Sequence, residues 1–412
     1  MGAFEIFAIV ASAIALVFVS WALFRMTRFP PGIAFILIGI VLSLAGSTVP
    51  QALSEAVKLS MPVLLGAVLF GCGLKMNLRG IRKNRSSLFL SFLTFGLTVS
   101  ILWSVSHFVL GMSVLGSLLL GAVGASICSF FIFHIVDSVN LGVEVEDALM
   151  LESSMTEAAS VLLALAVFQL SIGASALQAS ALGIVFGLLA GIIWVRLIRF
   201  TTDFPHEDAL TLSLVLAVVA FCEMVFPNSG MMSALFFGLA MGNAGLLKTK
   251  VRFEGLLEFQ EDVLMVGGTF VFFYAGLLVP SADLWLVLIG ACIWVAILLI
   301  RFVSVGATLP VGFNFPVACL SPKGLSAALI VLMAIGNDLP EAGRLFAFTV
   351  PIILLSGIAA GVSPWMMERK RPPKLEGLKS KERSAYESPP EKPISHAYDI
   401  DEVKRTINRK EE

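Results

Sequence analysis

Apolar residues in this chain come in long unbroken blocks, separated by short polar interruptions. A helix crossing the hydrocarbon core of a bilayer needs ~20 mostly apolar residues. Blocks of that kind fall at 3–24, 30–48, 58–76, 86–109, 113–136, 147–170, 174–196, 208–226, 229–247, 262–280, 284–308, 313–335 and 343–365. The pattern predicts an all-α polytopic membrane protein with about 13 transmembrane helices. No basic run precedes residues 3–24 and no cleavage-site pattern follows them, so they read as a first span rather than a signal peptide.

Composition points the same way. Charged residues make up 14 % of the chain and hydrophobic ones 58 %, where a soluble domain carries about 25 % charged residues. With a mean hydropathy of +0.93, most of the chain needs lipid as its solvent. Basic runs occur only beside spans or in the tail, which gives nucleic acid no surface to bind. Cys72, Cys128, Cys222, Cys292 and Cys319 all sit in apolar blocks without metal-ligand spacing, so they read as small buried apolar residues. No cofactor motif and no enzyme's nucleophilic or nucleotide-binding constellation is present.

An odd number of spans puts the termini on opposite faces. One set of loop ends holds Arg25, Arg28, Lys75, Arg79, Arg82, Lys83, Arg85, Arg196, Arg199, Lys248, Lys250, Arg252, Arg369, Lys370 and Arg371. The other set holds only Lys58 and Arg344. The positive-inside rule then predicts a multi-pass protein of the cell membrane, N-terminus outside and C-terminus cytoplasmic. The chain divides into a transmembrane domain, residues 1–367, and a cytoplasmic tail, residues 368–412. The tail is rich in Lys, Glu, Pro and Ser and is expected to be mostly disordered, with a short helix over 399–410.

Six spans, a linking span and six more would form two halves of opposite topology, the inverted-repeat layout of many transporters. The fifth and twelfth spans would then be symmetry mates. Gly121 and Gly124 interrupt the first of these, and Pro316, Pro322 and Gly324 the second.

An ionisable group inside a bilayer costs at least ~2.5 kcal/mol and is a functional candidate by default. Few spans hold one near the centre: Glu152 and Glu157 in the sixth, Arg301 in the eleventh and Lys323 in the twelfth. Glu223 lies near an outer helix end, and His134 near the inner end of the fifth span. Glu152 and Glu157 are five residues apart, about 140° around a helix, so they face different surroundings. Ser153 and Thr156 share the side of Glu157, giving one carboxylate and two hydroxyls suited to a small alkali cation. Glu152 faces away and is expected to pair with Arg301. Burial disfavours a bare carboxylate, so proton and cation would compete for Glu157, and that competition couples their fluxes.

The stretch LESSMTEAAS resembles the sixth-helix E-S-x-x-N-D motif of NhaP-like sodium/proton antiporters, members of the cation–proton antiporter superfamily. Glu152 and Ser153 match it, Thr156 takes the Asn place and Glu157 the Asp place. RFVSV from Arg301 resembles the eleventh-helix arginine segment, and SPKGLSAAL the twelfth-helix G-x-R-G motif with Lys323 as its basic residue. TRFPPGIAFILIGIVLS, FGCGLKMNLRGIRK and SGMMSALFFGLAMGN resemble the second, third and ninth helices, so the likeness covers roughly residues 1–365. It departs in the fifth helix, where Ile127, Cys128 and Ser129 stand at the T-D-P of the helix crossing, removing a carboxylate and a hydroxyl.

The resemblance implies an NhaA-like inverted-repeat fold with two broken helices, working as a homodimer by alternating access. It implies exchange of Na+, or Li+ or K+, for H+ in cation transport and pH homeostasis. Glu157 would be the cation/proton site, Ser153 and Thr156 its supporting ligands, and Glu152–Arg301 a structural ion pair. Lys323 would be a helix-end charge near the site. Two other readings stay open: a sodium-coupled organic-anion symporter on the same fold, and a non-transporting membrane sensor.

Overall fold

The computed structural model describes residues 30–46, 51–76, 85–138, 143–172, 175–198, 207–226, 229–247, 254–279, 283–309 and 314–368, with isolated positions at 15, 18, 19, 22, 49, 78 and 141. Among these residues every regular element is helical, and no strand occurs. Nine stretches are long and apolar enough to cross a bilayer, with three shorter apolar helices beside them. They correspond to the second to thirteenth expected spans. The first, 3–24, lies almost wholly outside the described residues, as does the tail with its expected helix at 399–410.

In chain order the helices are α1 (Pro31–Leu44), α2 (Gln51–Lys75), α3 (Arg85–Ser104), α4 (Val114–Ala125), α5 (Ser129–Ser138), α6 (Val143–Ile172) and α7 (Ser175–Leu197). There follow α8 (Glu207–Val225), α9 (Gly230–Gly242), α10 (Glu254–Leu278), α11 (Leu284–Thr308), α12 (Asn314–Cys319), α13 (Leu325–Gly336) and α14 (Ala342–Glu368). A π-helical turn, Val105–Val109, ends α3.

The helices pack as two bundles. α9 lies against α2 and α7, α10 against α1 and α2, and α8 against α9 and α10. The second bundle joins α3, α4 and α6 to α11, α12, α13 and α14, with α5 packed on α6. Contacts between the bundles are sparser and run mainly through α2 with α6 and α10 with α13. Lipid tails are as apolar as the side chains, so hydrophobicity does not drive these helices together in a membrane. Close approach and dispersion do. At Gly238 of α9 a Cβ would collide with the backbone oxygen of Phe70 on α2 and lie 3.1 Å from the Leu74 nitrogen. Backbone atoms in a packed helix cannot step aside, so Gly238→Ala is expected to cost ~1–3 kcal/mol. Thermal unfolding in detergent measures it, and an unchanged midpoint would show that α2 and α9 separate freely.

Each of the two spans expected to break does so, but Gly121 and Gly124 stay within α4 and Pro316 within α12, and the chain leaves helix only beyond them. Ser126 leaves the helical conformation (ψ 129°), residues 126–128 run extended, and the helix resumes at Ser129. In the twelfth span the chain leaves helix after Cys319 and re-enters at Leu325. The extended pieces meet: the Cys128 amide donates to the Pro322 carbonyl at 2.9 Å, and the Ser126 and Ser326 hydroxyls lie 2.8 Å apart. The first of these bonds satisfies backbone groups that the breaks leave without intrahelical partners.

Candidate functional site

Glu157 projects from α6 into the place where the two broken helices cross, with 3 % of its surface exposed. Its Oε2 accepts from the Ser129 amide at 3.0 Å and from the Ser129 hydroxyl at 2.7 Å. The Cys72 thiol of α2, in the other bundle, donates weakly to the same oxygen at 3.8 Å. Oε1 accepts from the Ser326 hydroxyl at 2.9 Å. The Ser129 amide is one of the donors that a helix N-terminus leaves free, and the positive end of the helix dipole favours an anion there. Both breaks therefore serve the carboxylate, since each brings the first turn of a half-helix to it.

Hydroxyls can turn. Ser129 and Ser326 donate to Glu157 here, and each also has lone pairs for a cation. Carboxylate and hydroxyl oxygens suit hard alkali ions. A cavity of about 50 Å³, measured as space open to the centres of water molecules, reaches Glu157 between the bundles. One water centre needs roughly 10–15 Å³ on that measure, so the space suits a few waters or a partly hydrated ion. Glu157, Cys72, Cys128, Ser129, Gln260, Thr269, Lys75 and Glu261 are among the residues that line it.

The other candidates divide as follows. Glu152 and Arg301 are almost fully buried and form an ion pair through Nη1 and Oε1 and through Nη2 and Oε2 at 3.0 Å. Arg301 Nη2 also donates to the Leu320 carbonyl at 3.1 Å, so one guanidinium ties α6 and α11 to the break of the twelfth span. Ser153 and Thr156 are buried near Glu157, but their hydroxyls bond within α6. Ser153 donates to the Met150 carbonyl at 3.0 Å and Thr156 to the Glu152 carbonyl at 2.8 Å. Cys128 lines the cavity, and Ser129 supplies a hydroxyl beside the carboxylate although T-D-P is absent.

Lys323 sits in the break itself, its amide donating to the Ser356 hydroxyl at 2.9 Å. The charges acting on its side chain are those of Arg301 and Glu152, and it forms no ion pair with Glu157. Glu223 accepts from the Gly230 amide at 3.0 Å, at the start of α9. The side chain of His134 lies outside the described residues. Cys292 departs from the expectation of burial and is exposed, because α11 turns that face outward.

Two partners of Glu157 were not among the sequence candidates: Ser326, with Ser126 behind it, and Cys72. Ser326 lies inside the SPKGLSAAL stretch, two residues past Gly324. Serine is frequent in these spans, and no period along the chain marks which hydroxyl will cross to another helix. The break after Gly324 was the one available signal, because residues in the turn after a break face the crossing.

Residues 13–368 match the family model described as sodium/hydrogen exchanger, transmembrane. A Na(+)/H(+) antiporter NhaH of Halobacillus dabanensis is 27 % identical over 197 residues, 44 % of this chain and 47 % of that protein, so the chain matches about half the length of that relative. The sodium proton antiporter MjNhaP1 of Methanocaldococcus jannaschii has a similar fold. Its structure at pH 8 has a TM-score of 0.70 at 18 % identity, covering 89 % of this chain and 99 % of that one. A second MjNhaP1 structure, from electron microscopy, has a TM-score of 0.71 at 18 % identity, covering 91 % and 100 %.

Proposed function

The chain belongs to the sodium/hydrogen exchanger family, and from that premise we propose that it exchanges a monovalent cation for a proton at Glu157. Sodium is the first choice, with lithium and potassium as alternatives. The observation that supports this most is the setting of Glu157. A nearly buried carboxylate is held by two hydroxyls and a helix-end amide, at the end of a cavity between two bundles.

A bare carboxylate is disfavoured in such a place. Glu157 therefore carries a proton or a cation whenever the bundles slide past one another, and the empty anion does not cross. One carboxylate holds one proton or one cation, which makes the exchange one-for-one and electroneutral. Lys75, which the basic loops assign to the cytoplasmic side, lines the cavity. Alternating access would expose Glu157 to the other side.

The test is purified protein in proteoliposomes with an internal pH-sensitive dye, offered each alkali cation in turn. A cation-dependent pH change is expected with at least one cation and unchanged by an imposed membrane potential. Acidifying the cation side should raise the apparent KM for the cation and leave the maximal rate unaltered, since proton and cation contend for one carboxylate. Folded protein that moves no proton with any alkali cation would refute exchange and favour the sensor. Flux driven by the potential would refute the one-for-one stoichiometry.

A further inference from the structure

The cavity that reaches Glu157 is also lined by a second set of oxygen ligands. Gln260 and Glu261 are neighbours on α10, and both line the cavity. Gln260 is 2 % exposed. Its amide nitrogen donates to the Ala67 carbonyl of α2 at 2.8 Å, while its Oε1 is buried with no hydrogen-bond donor. A buried amide oxygen without a partner is costly, and here it borders space that an ion or water can enter. The position is built for this amide: a Cβ on Gly71 of α2 would strike it, with Oε1 at 2.8 Å. Beside it, Glu261 Oε1 accepts from the Lys75 ammonium at 3.1 Å, with both side chains mostly buried.

Resting on the exchange reading above, we propose that Gln260 and Glu261 form an outer loading site for the transported cation, with Lys75 as its tethered competitor. The empty site keeps the Lys75 ammonium on Glu261, which neutralises that carboxylate at 3.1 Å. An arriving alkali cation takes the Glu261 carboxylate and the vacant Gln260 oxygen, both hard ligands. The ammonium then has somewhere to go, since the ring of Phe133 on α5 already lies 5.4 Å from it. From the loading site the cation passes along the cavity to Glu157. Gln260 and Glu261 lie on the bundle of α10 and Glu157 on the bundle of α6, so the transfer crosses the line along which the bundles move.

The experiment uses the full chain and two readouts. The first is cation-dependent exchange in proteoliposomes for wild type, Glu261→Gln and Gln260→Leu. Removing a loading site weakens capture without touching the transporting carboxylate, so KM for sodium should rise on the order of tenfold with kcat held. The second is binding of radioactive sodium to purified Glu157→Gln protein, which should be retained and then lost when Glu261→Gln is added. Unchanged KM in both single variants, or no sodium bound by Glu157→Gln protein, would overturn the loading site. Full exchange by Glu157→Gln would instead remove the transport reading and leave sodium binding at Gln260 and Glu261 to be judged by the second readout. Gln260→Leu tests packing as well as the oxygen, and Glu261→Gln, which keeps the shape, separates the two.

Discussion

Glu157→Gln is expected to reduce cation-dependent proton exchange to background while the protein folds and inserts normally. The substitution keeps the shape and removes only the charge and the exchangeable proton. Its amide oxygen can still accept from the Ser129 amide, which now donates to Glu157 at 3.0 Å. Its amide nitrogen can donate to the Ser326 hydroxyl, which stands 2.9 Å from the carboxylate and can reverse its role. Thermal stability should hold or rise, since a buried carboxylate is exchanged for a neutral group. The measurement pairs dye-reported flux in proteoliposomes with an unfolding midpoint in detergent. Substantial exchange by the folded mutant would remove Glu157 from the transport step, leaving the arrangement around it a structural junction of half-helices.

Arg301→Ala is expected to do the opposite, destabilising the fold by ~3–5 kcal/mol, because it leaves the buried Glu152 carboxylate without its partner. Two further losses add to this. The guanidinium also donates to the Leu320 carbonyl at 3.1 Å, so the end of α12 loses the donor that closes it. Lys323, which lies within electrostatic reach of Glu152, can offset part of the charge but offers no planar fork. Glu152→Ala/Arg301→Ala should recover part of the stability by removing the stranded carboxylate, though not all, since Leu320 stays without its donor. Unfolding midpoints of the three variants and Glu157→Gln decide the matter. A midpoint for Arg301→Ala above that of Glu157→Gln would mean that the pair does not hold the bundle together.

The two substitutions separate because the carboxylates of α6 differ in surroundings rather than in chemistry. About 140° of helical rotation separates Glu152 from Glu157. That rotation could be read from five residues of spacing, and so could the expectation that Arg301 meets Glu152. Intramembrane charges are so few that the choice of partners was already narrow. The helix breaks were legible for a similar reason: Pro316, Pro322 and Gly324 interrupt an apolar block, and irregular backbone at that depth has to be matched by another piece of protein.

The partners of Glu157 were less legible. Ser153 and Thr156 share its side of the helix, yet their hydroxyls are taken by carbonyls one turn back, as hydroxyls inside helices often are. The groups that reach Glu157 come from Ser129, Ser326 and Cys72, on three other helices. Gln260 is a further case. As one polar residue beside Glu258, Glu261 and Asp262 it carried no signal, and its unpartnered oxygen exists only because Gly71 lets the amide lie against α2.

The sequence by itself determined the helical class, the spans from the second to the thirteenth, the two interruptions and the separation of Glu152 from Glu157. Each follows from local rules: the hydrophobic length that lipid demands, the residues that cannot continue a helix, and 100° of rotation per residue. Only the tertiary structure decided which hydroxyls hold the carboxylate, which bundle each helix joins, and where the cavity runs between Glu157 and the Lys75–Glu261 pair. Those depend on contacts between residues far apart in the chain, made by close approach of backbones at positions such as Gly73 and Gly238. Small residues are common in every membrane helix, so their sequence pattern does not say which helix comes near.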